Sequence, residues 1–260
     1  MAKKYNLTTW EMLDYLHQFE ECDFTEPFTG FSEQEITAVE QKYHITFPPF
    51  YKEYMTYCGN HPINDIFNHI NKPSEIMTNY EFLEEDIEDY AKDLQDMTKE
   101  EIDEACAEHE IYRLCQLPRD QWHTVTQEYV LTWYENQGCW NAGYLRRDLE
   151  QGIPNPPMYI TTNDDFITFE KTADDTASFL NSIFFMASYE IGNGYDVSKH
   201  DDIIETLKNA DIDLSITEKD GVNTCLDTDT NILYFCWVNQ EKNFLQLMII
   251  NEPYDDEDEE

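Results

Sequence analysis

The sequence predicts an α+β protein, with helices early and a mostly antiparallel meander of strands after them. Two capping boxes, Thr8–Glu11 and Ser32–Glu35, each precede apolar residues at helical spacing, which indicates two early helices. From Val125 to Trp133 the odd positions are rich in β-forming residues, which indicates an extended strand. With 41% hydrophobic and 14% aromatic residues, the 260-residue chain has enough apolar side chains for a folded core.

The early helices are expected to end at residues that cannot extend them. The first ends near Glu21, and the second ends before Pro48 and Pro49, because proline lacks the amide hydrogen that a helix needs. Pro49 suits the first turn of a third helix, and Gly59 suits its C-terminal cap. Helical spacing predicts an inner face of three aromatic residues on this third helix: Phe50, Tyr54 and Tyr57.

Residues 81–110 contain the densest acid in the interior of the chain. An apolar stripe at helical spacing predicts an amphipathic helix there, and Thr98 starts another helix after it. The stripe consists of Ile87, Tyr90, Leu94 and Met97. The acidic run Glu84–Asp89 therefore covers the solvent-facing side of the first of these helices.

A β-hairpin is predicted next. Asn136–Gly138 is a turn signal, and Cys139–Tyr144 is the returning strand. Trp133 and Trp140 are expected to face each other across this hairpin, as a core pair or, with one ring exposed, as a binding anchor. Two shorter strands follow, at Met158–Thr161 and Phe166–Phe169.

The last third of the chain begins with a helix that carries Phe179–Phe184. Ile191–Gly194 marks a boundary, because its two glycines interrupt the apolar pattern. Beyond it the sequence predicts a helix and a β-hairpin, at 198–209, 233–238 and 244–250. Asp255–Glu260 is a charge block of one sign, which is typical of a solvated tail.

The net charge of −39, from 55 acidic and 16 basic residues, limits the possible partners. A nucleic-acid-binding protein needs a positive face, and an anionic membrane repels acid, so we expect no direct nucleic-acid binding and no membrane binding. A basic protein is the expected partner. A salt-adapted proteome would also produce an acidic surface, but abundant Ile, Asn, Tyr and Lys with few Ala and Arg indicates A/T-rich coding instead.

The expected compartment is the cytoplasm. The N-terminal residues lack the apolar run of a signal peptide, and no stretch approaches the roughly 18 apolar residues of a membrane helix. The seven cysteines include no Cys-x-x-Cys pair, which is typical of reduced thiols rather than of a disulfide framework.

Known catalytic motifs are absent from the sequence, which has no glycine-rich phosphate loop, no His-Glu-x-x-His and no Gly-x-Ser-x-Gly. Cys106, His109 and Cys115 have metal-like spacing without a fourth ligand nearby, so we expect Cys106 on a buried helix face and His109 in solvent. We expect no metal, no cofactor and no enzymatic activity. An enzyme acting on a cationic substrate stays open, and it requires a pocket of convergent carboxylates with strongly shifted pKa values.

Several segments combine into a family pattern. Phe31–Glu40, Tyr43–Pro49 and Phe50–Gly59 give a capped helix with an inward Glu, a linker ending in Pro, and a tyrosine-bearing helix that closes on Gly. With Asn136–Trp140 and the later strand and helix, residues 28–190 resemble the SUKH superfamily, which includes fungal Smi/Knr-type regulators and many bacterial immunity proteins. The matching positions are Glu40, Pro48, Tyr51, Gly59 and Trp140, with Phe47 in place of the usual Leu.

The resemblance implies a SUKH-like fold, which is a curved, mostly antiparallel sheet with flanking helices and no catalytic activity. The chain then divides into an N-terminal helix, a SUKH-like domain with an acidic helical insertion, a C-terminal α/β extension with a helix and a β-hairpin, and an acidic tail. These parts are expected at 1–27, 28–190 with the insertion at about 61–120, 191–254 and 255–260.

The resemblance also implies an immunity protein that binds and neutralises a toxin of its own cell, often a nuclease. The charge agrees with this, because a nuclease holds phosphates in a basic cleft that an acidic protein can cover. The alternative is a non-immunity scaffold like the fungal regulators, with several partners of modest affinity. The expected contact residues are acidic, with one Trp: Glu84, Glu85, Asp86, Glu88, Asp89, Trp140, Asp164 and Asp165.

Overall fold

The computed structural model describes residues 2–20, 23–66, 68–122, 128–162, 167–195 and 200–251. The chain divides into two compact units. Unit 1 comprises Met1–Pro27 and Ala177–Glu260, and unit 2 comprises Phe28–Thr176. Each unit combines helices with antiparallel strands, which confirms the predicted α+β class.

The regular elements are numbered in chain order. The helices are α1 (Thr9–Leu16), α2 (Glu33–Tyr43), α3 (Pro49–Cys58), α4 (Asn79–Asp96), α5 (Lys99–Glu108), α6 (Glu110–Cys115), α7 (Arg146–Glu150), α8 (Thr176–Ala187) and α9 (His200–Asn209). The strands are β1 (Lys3–Tyr5), β2 (Asn68–Ile70), β3 (Met77–Thr78), β4 (Tyr129–Glu135), β5 (Asn141–Leu145), β6 (Met158–Thr161), β7 (Phe169–Ala173), β8 (Gly192–Tyr195), β9 (Gly221–Asp227), β10 (Ile232–Asn239) and β11 (Phe244–Ile250).

The helix starts follow from capping boxes. Thr8, Ser32 and Thr98 each accept a hydrogen bond from the backbone N–H three residues on, as predicted. A fourth box, Thr78 with Glu81, starts α4 in the same way. In each box a carboxylate also accepts from the cap N–H, so two otherwise unpaired donors are satisfied.

Unit 2 is built on an antiparallel sheet in the order β2-β4-β5-β6-β7, with β3 also paired with β4. Helix α3 packs on one face of this sheet through Tyr51. The Tyr51 ring lies edge-on to Trp133 of β4, with 5.6 Å between centroids, and to Tyr144 of β5, at 5.7 Å. All three rings are fully buried, so they form the centre of the unit 2 core.

The inner face of α3 differs from the predicted one. Tyr54 is buried as expected, but Tyr57 is 47% exposed and Phe50 is only half-buried. The other buried residues of α3 are Tyr51, Met55 and Cys58. Tyr54 belongs to two rows of residues at helical spacing, one with Phe50 and Tyr57 and the other with Tyr51 and Cys58. Because Tyr51 packs against the sheet, the second row faces the core.

The β4–β5 hairpin turns at Asn136–Gly138, as predicted, and Gly138 has a φ of 73°. The prediction that Trp133 and Trp140 face each other is wrong, because Trp133 pairs with Ala142. The turn region extends to Trp140, and the register shifts between Leu131 and Trp133. Trp133 is therefore a core residue, while Trp140 is half-buried and accepts a hydrogen bond from the Glu135 N–H through its carbonyl oxygen.

Unit 1 contains a second antiparallel sheet, in the order β1-β9-β10-β11-β8. Alternate residues of β10 face opposite sides. Tyr234, Cys236 and Val238 pack in one cluster with Ile203 and Leu207 of α9. Phe235 packs on the other side against Phe185 of α8, with 6.0 Å between ring centroids. The sequence predicted α9, β10 and β11, and the structure adds β1, β8 and β9 to the expected hairpin.

The unit boundaries differ from those expected from the sequence. Residues 1–27 belong with the C-terminal part, since β1 pairs with β9. The boundary lies after Thr176 rather than near 191, since α8 packs on the β10 strand of unit 1. Residues 61–120 form the helices α4, α5 and α6, as expected for a helical insertion, but they also contribute β2 and β3 to the sheet of unit 2.

Candidate functional site

The acidic surface of unit 2 is formed by α4 and α5. Residues 79–108 contain 13 acidic residues and two lysines. On the inner side of α4, Leu83 and Ile87 are buried in a cluster with Ile111 and Leu114 of α6 and with Trp122. Because the apolar residues of α4 face α6, its acidic residues lie on the outside.

Four exposed aspartates form a row along α4, and we call this row the aspartate stripe: Asp86, Asp89, Asp93 and Asp96. Their spacing of three or four residues places them on one helix face. Asp89 accepts a hydrogen bond of 2.6 Å from Lys92 Nζ. Asp86 and Asp89 were predicted as contact residues; Asp93 and Asp96 were not, although helical spacing from Asp86 was a sufficient signal.

Glu84 and Glu88 lie beside the aspartate stripe and share one cation. Arg119 forms ion pairs with both, at 3.2 Å between its Nη1 and Glu88 Oε1. Its guanidinium also lies 5.9 Å from the centroid of the Trp122 ring. The acidic face predicted from the sequence is thus exposed, but its residues have two different roles. Arg119 partly neutralises Glu84 and Glu88, whereas Asp86 and Asp89 belong to the aspartate stripe.

A cleft of about 330 Å³ opens beside this surface, and its lining includes Tyr43, Glu81, Glu84, Arg119, Glu128 and Arg146. Glu81 Oε2 accepts hydrogen bonds from the Tyr43 hydroxyl, at 2.6 Å, and from the Thr78 N–H, at 2.9 Å. Burial disfavours the charged carboxylate, but these hydrogen bonds and the charge of Lys42 outweigh burial and lower the pKa of Glu81. Glu81 therefore stays ionised at neutral pH.

Arg146, which also lines the cleft, makes three hydrogen bonds. Its Nη1 donates to Glu128 Oε2 at 2.8 Å, its Nε donates to Glu150 Oε1 at 3.0 Å, and its Nη2 donates to the Tyr43 carbonyl at 3.3 Å. Both arginines of the cleft are thus paired with carboxylates. Arg146 thus links α2 to α7, and the hydrogen bond from the Tyr43 hydroxyl to Glu81 links α2 to α4.

Among the described carboxyl groups, every clear pKa shift is a decrease. Where the pKa of such a group departs clearly from its ordinary value, the pKa is lowered; the groups are Glu11, Glu35, Glu81, Glu101, Asp174 and Asp227. These side chains are ionised at neutral pH. They suit electrostatic attraction of a cation better than proton donation to a substrate.

Glu40 and Pro48, two of the motif positions, organise the link between α2 and α3. Glu40 Oε1 accepts a 2.8 Å hydrogen bond from the Phe47 N–H and lies 3.2 Å from Lys52 Nζ. Pro48 is buried and is the N-terminal cap residue of α3. The motif Glu therefore holds the linker in place by binding its backbone.

Tyr51 and Gly59, the other motif positions on α3, are packing residues. Tyr51 is fully buried against the sheet. A Cβ added to Gly59 would lie 2.7 Å from the Met55 carbonyl oxygen and 3.0 Å from the Phe31 ring, so a side chain there displaces its neighbours. These positions support the fold and do not line the acidic surface.

The remaining predicted contact residues are not brought together by the described structure. Trp140 is half-buried at the end of the β4–β5 turn. Asp164 and Asp165 lie outside the described residues. Glu85 lies within α4, and its side chain is likewise outside the description.

The cysteine and histidine residues singled out by spacing have ordinary surroundings. His109 is exposed, as expected, while Cys106 is half-buried rather than buried and accepts a hydrogen bond from Gln116 Nε2. In the described ranges, no group of three or more His, Cys, Asp or Glu side chains is arranged to hold a metal ion. Over the same residues, every helix is too short or too polar to cross a bilayer.

Comparison with protein-family models, with curated proteins and with solved structures found no match to this chain.

Proposed function

We propose that this chain binds a basic protein through the acidic surface of α4 and α5. We further propose that the partner is a cognate toxin with nuclease activity, which the chain neutralises by covering its basic active-site cleft. The observation that carries the proposal is the aspartate stripe, a row of four exposed carboxylates on a helix whose opposite side is packed in the core.

Charge affects both the rate of association and the complementarity of the two surfaces. A surface with one sign of charge raises the association rate of an oppositely charged partner by about 10 to 10³-fold, and salt screens the effect. A nuclease needs a basic cleft for the phosphate backbone, so a regular row of carboxylates on a rigid helix can occupy the same cleft. The ion pairs of Arg119 with Glu84 and Glu88 connect this helix to the segment after α6.

The family resemblance of residues 28–190 supports the toxin as the class of partner. Four of the five matching positions lie at the α2–α3 link or on the packed side of α3, which leaves the acidic surface free to differ between proteins of one fold. The net charge of −39 independently favours a basic partner.

The test of the function is capture of the partner followed by an activity assay. The tagged chain is used to isolate partners from its own cells at 0.1 and 0.5 M salt. We expect one dominant basic protein whose nuclease activity falls to background when one equivalent of the chain is added. A captured protein that stays fully active in the complex would contradict neutralisation.

The test of the surface is a set of charge reversals. Asp86, Asp93 and Asp96 changed together to Lys should slow association by about tenfold at low salt and flatten its salt dependence. The matched control reverses three exposed glutamates of unit 1, Glu205, Glu218 and Glu241, which changes the net charge equally. Equal slowing by both triple variants would show that net charge, and not this surface, drives association.

A scaffold function of the Smi/Knr type is the second candidate, and one observation favours it. A separate groove of about 630 Å³ lies between α2 and α3, beside the 47% exposed ring of Tyr57. A second binding surface suits a protein with several partners. Capture of several partners that are lost at high salt, without nuclease inhibition, would favour this function over neutralisation.

A further inference from the structure

A third concave site lies on the sheet of unit 2, and we call it the sheet groove. Its volume is about 320 Å³. The lining residues that matter for its chemistry are Glu75, Met77, Phe82, Leu131, Tyr134 and Asn141. Ligand cavities range from roughly 300 to 1,000 Å³, so this groove suits one long side chain with its backbone rather than a large cofactor.

The strand register explains why these side chains share one face. Met77 of β3 is paired with Leu131 of β4, and Tyr134 of β4 is paired with Asn141 of β5. Residues directly opposite each other in paired strands point to the same side. The register shift after Leu131 places both pairs on the same side, away from the core residue Trp133.

Asn141 brings an unused hydrogen-bond donor to the sheet groove. Asn141 is 94% buried, and its Nδ2, which has almost no solvent-accessible area, has no hydrogen-bond partner within the part of the chain that the structure describes. Its backbone N–H is already used, since it donates to Thr161 Oγ1 at 3.0 Å. A buried donor without a partner is unfavourable, so a bound acceptor would satisfy it once the Asn141 amide turns towards the groove.

The walls of the groove favour a cation with an apolar stem. Phe82 and Tyr134 are 39% and 37% exposed, and aromatic ring faces attract cations. One face of the Tyr134 ring stacks on His69, with 4.8 Å between ring centroids, so a cation would bind the other face. Burial raises the pKa of Tyr134, and the negative charges of Glu75 and Asp65 raise it further, which reports a negative field at this ring. Met77 and Leu131 supply aliphatic surface for a methylene chain.

We propose that the sheet groove binds an arginine residue of the basic partner, an inference that rests on the proposed function for the existence of that partner. The guanidinium lies beside Glu75 and against the ring of Tyr134, and the methylene stem lies on Met77 and Leu131. The main-chain carbonyl of the same arginine accepts a hydrogen bond from Asn141 Nδ2. Arginine suits the site better than lysine, because its planar group stacks on rings and can donate to Glu75 Oε1 while Glu75 Oε2 keeps its 3.1 Å hydrogen bond from the Lys72 N–H.

The direct test uses short capped peptides and the purified full-length chain. The Asn141 side-chain amide signals are followed by NMR during titration with acetyl-Gly-Arg-Gly-amide. Acetyl-Gly-citrulline-Gly-amide is the control, since citrulline has nearly the shape of arginine without the charge. We expect saturable shifts at Asn141 and about fivefold tighter binding of the arginine peptide. Unmoved Asn141 signals, or equal affinity for both peptides, would overturn the proposal.

A pair of variants separates binding from folding. Asn141→Leu removes the donor, so affinity for the arginine peptide should fall about tenfold, while the thermal midpoint should not fall. Thr132→Val is the matched control, because Thr132 Oγ1 is also buried without a described partner but does not line the groove. Glu75→Gln, at an exposed position, should abolish the preference for arginine over citrulline. Unchanged affinity in Asn141→Leu would overturn the proposal.

The two proposals fail in different ways. If a captured basic partner binds the Asn141→Leu and Glu75→Gln variants as tightly as the unmodified chain, the sheet groove is not its binding site and the proposed function stands. If the groove binds the arginine peptide but no basic protein is captured, the groove chemistry stands and the proposed function fails.

Discussion

Glu40 Oε1 accepts a hydrogen bond from the backbone N–H of Phe47, with 2.8 Å between oxygen and nitrogen. Glu40 lies on α2, and Phe47 lies in the linker immediately before α3. Phe47 is only 1% exposed, so water cannot replace the carboxylate as the acceptor for its N–H. This contact fixes the path of the chain between two helices together with two backbone hydrogen bonds, from the Ile45 N–H to the Glu40 carbonyl and from the Thr46 N–H to the Leu149 carbonyl.

Replacing Glu40 should destabilise unit 2 substantially. Glu40→Ala leaves the buried Phe47 N–H without an acceptor, and we expect the free energy of unfolding to fall by about 1–3 kcal/mol. Lys52→Ala is the matched control, because it removes only the half-exposed ion pair with Glu40 and should cost less than about 1 kcal/mol. Urea denaturation at pH 7 measures both values. Similar losses in the two variants would show that the ion pair, and not the backbone hydrogen bond, is the main contribution of Glu40.

Two buried tyrosines of α3 should respond oppositely to loss of the hydroxyl. The Tyr51 hydroxyl has no hydrogen-bond partner among the described residues, whereas the Tyr54 hydroxyl donates to Asn64 Oδ1 at 2.6 Å. Tyr51→Phe should therefore be neutral or slightly stabilising, and Tyr54→Phe should cost about 1–3 kcal/mol because Asn64 Oδ1 loses its donor. Thermal unfolding of both variants gives the comparison. A large loss in Tyr51→Phe would reveal a partner for that hydroxyl.

The sequence predicts local structure well where a short motif decides it. The capping boxes at Thr8, Ser32 and Thr98 start helices as expected, since hydroxyl and carboxylate lie within one helical turn. The missed box at Thr78 has the same pattern and needed only the same rule. The strand β9 was missed because Gly221–Asp227 contains Gly, Asn and Asp, which are poor strand formers, and pairing with β10 overrides that propensity.

The candidate sites were less predictable, because they depend on residues far apart in the sequence. The acidic run at 84–89 could be predicted from the sequence. The ion pairs of Glu84 and Glu88 with Arg119, about 30 residues later, could not. The sheet groove depends on a one-residue register shift after Leu131, which moves every following side chain of β4 to the other face. Helical spacing could have found Asp93 and Asp96, but spacing alone could not have found the unpaired donor of Asn141.

Removing Arg119 should strengthen the attraction of cations to the acidic surface. Arg119→Gln frees Glu84 and Glu88 from their ion pairs, so binding of a hexalysine peptide at low salt should tighten by about threefold. The effect should disappear at 0.5 M salt. Arg147→Gln on α7 is the control with the same change in net charge, and it should have a smaller effect. Isothermal titration calorimetry measures the affinities, and an equal gain in both variants would contradict a local role for Arg119.

Acid should remove the contribution of Glu11 to the stability of unit 1. Hydrogen bonds from Lys4 Nζ, at 2.5 Å, and from the Thr8 N–H, at 2.8 Å, lower the pKa of Glu11 from 4.5 to about 2. A carboxyl group whose pKa is lowered by folding stabilises the folded state above its unfolded pKa, and this contribution is lost as the pH falls through the folded pKa.

The Glu11→Gln variant tests this pH dependence. At pH 7 the unmodified chain should be more stable than the variant, by less than about 1 kcal/mol because the Lys4–Glu11 pair is exposed. The difference should shrink steadily between about pH 4.5 and pH 2 and vanish below it. Urea denaturation of both proteins at pH 7, 4.5, 3 and 2 measures the difference directly. A difference that is the same at all four pH values would show that Glu11 acts through its shape as a capping residue and not through its charge.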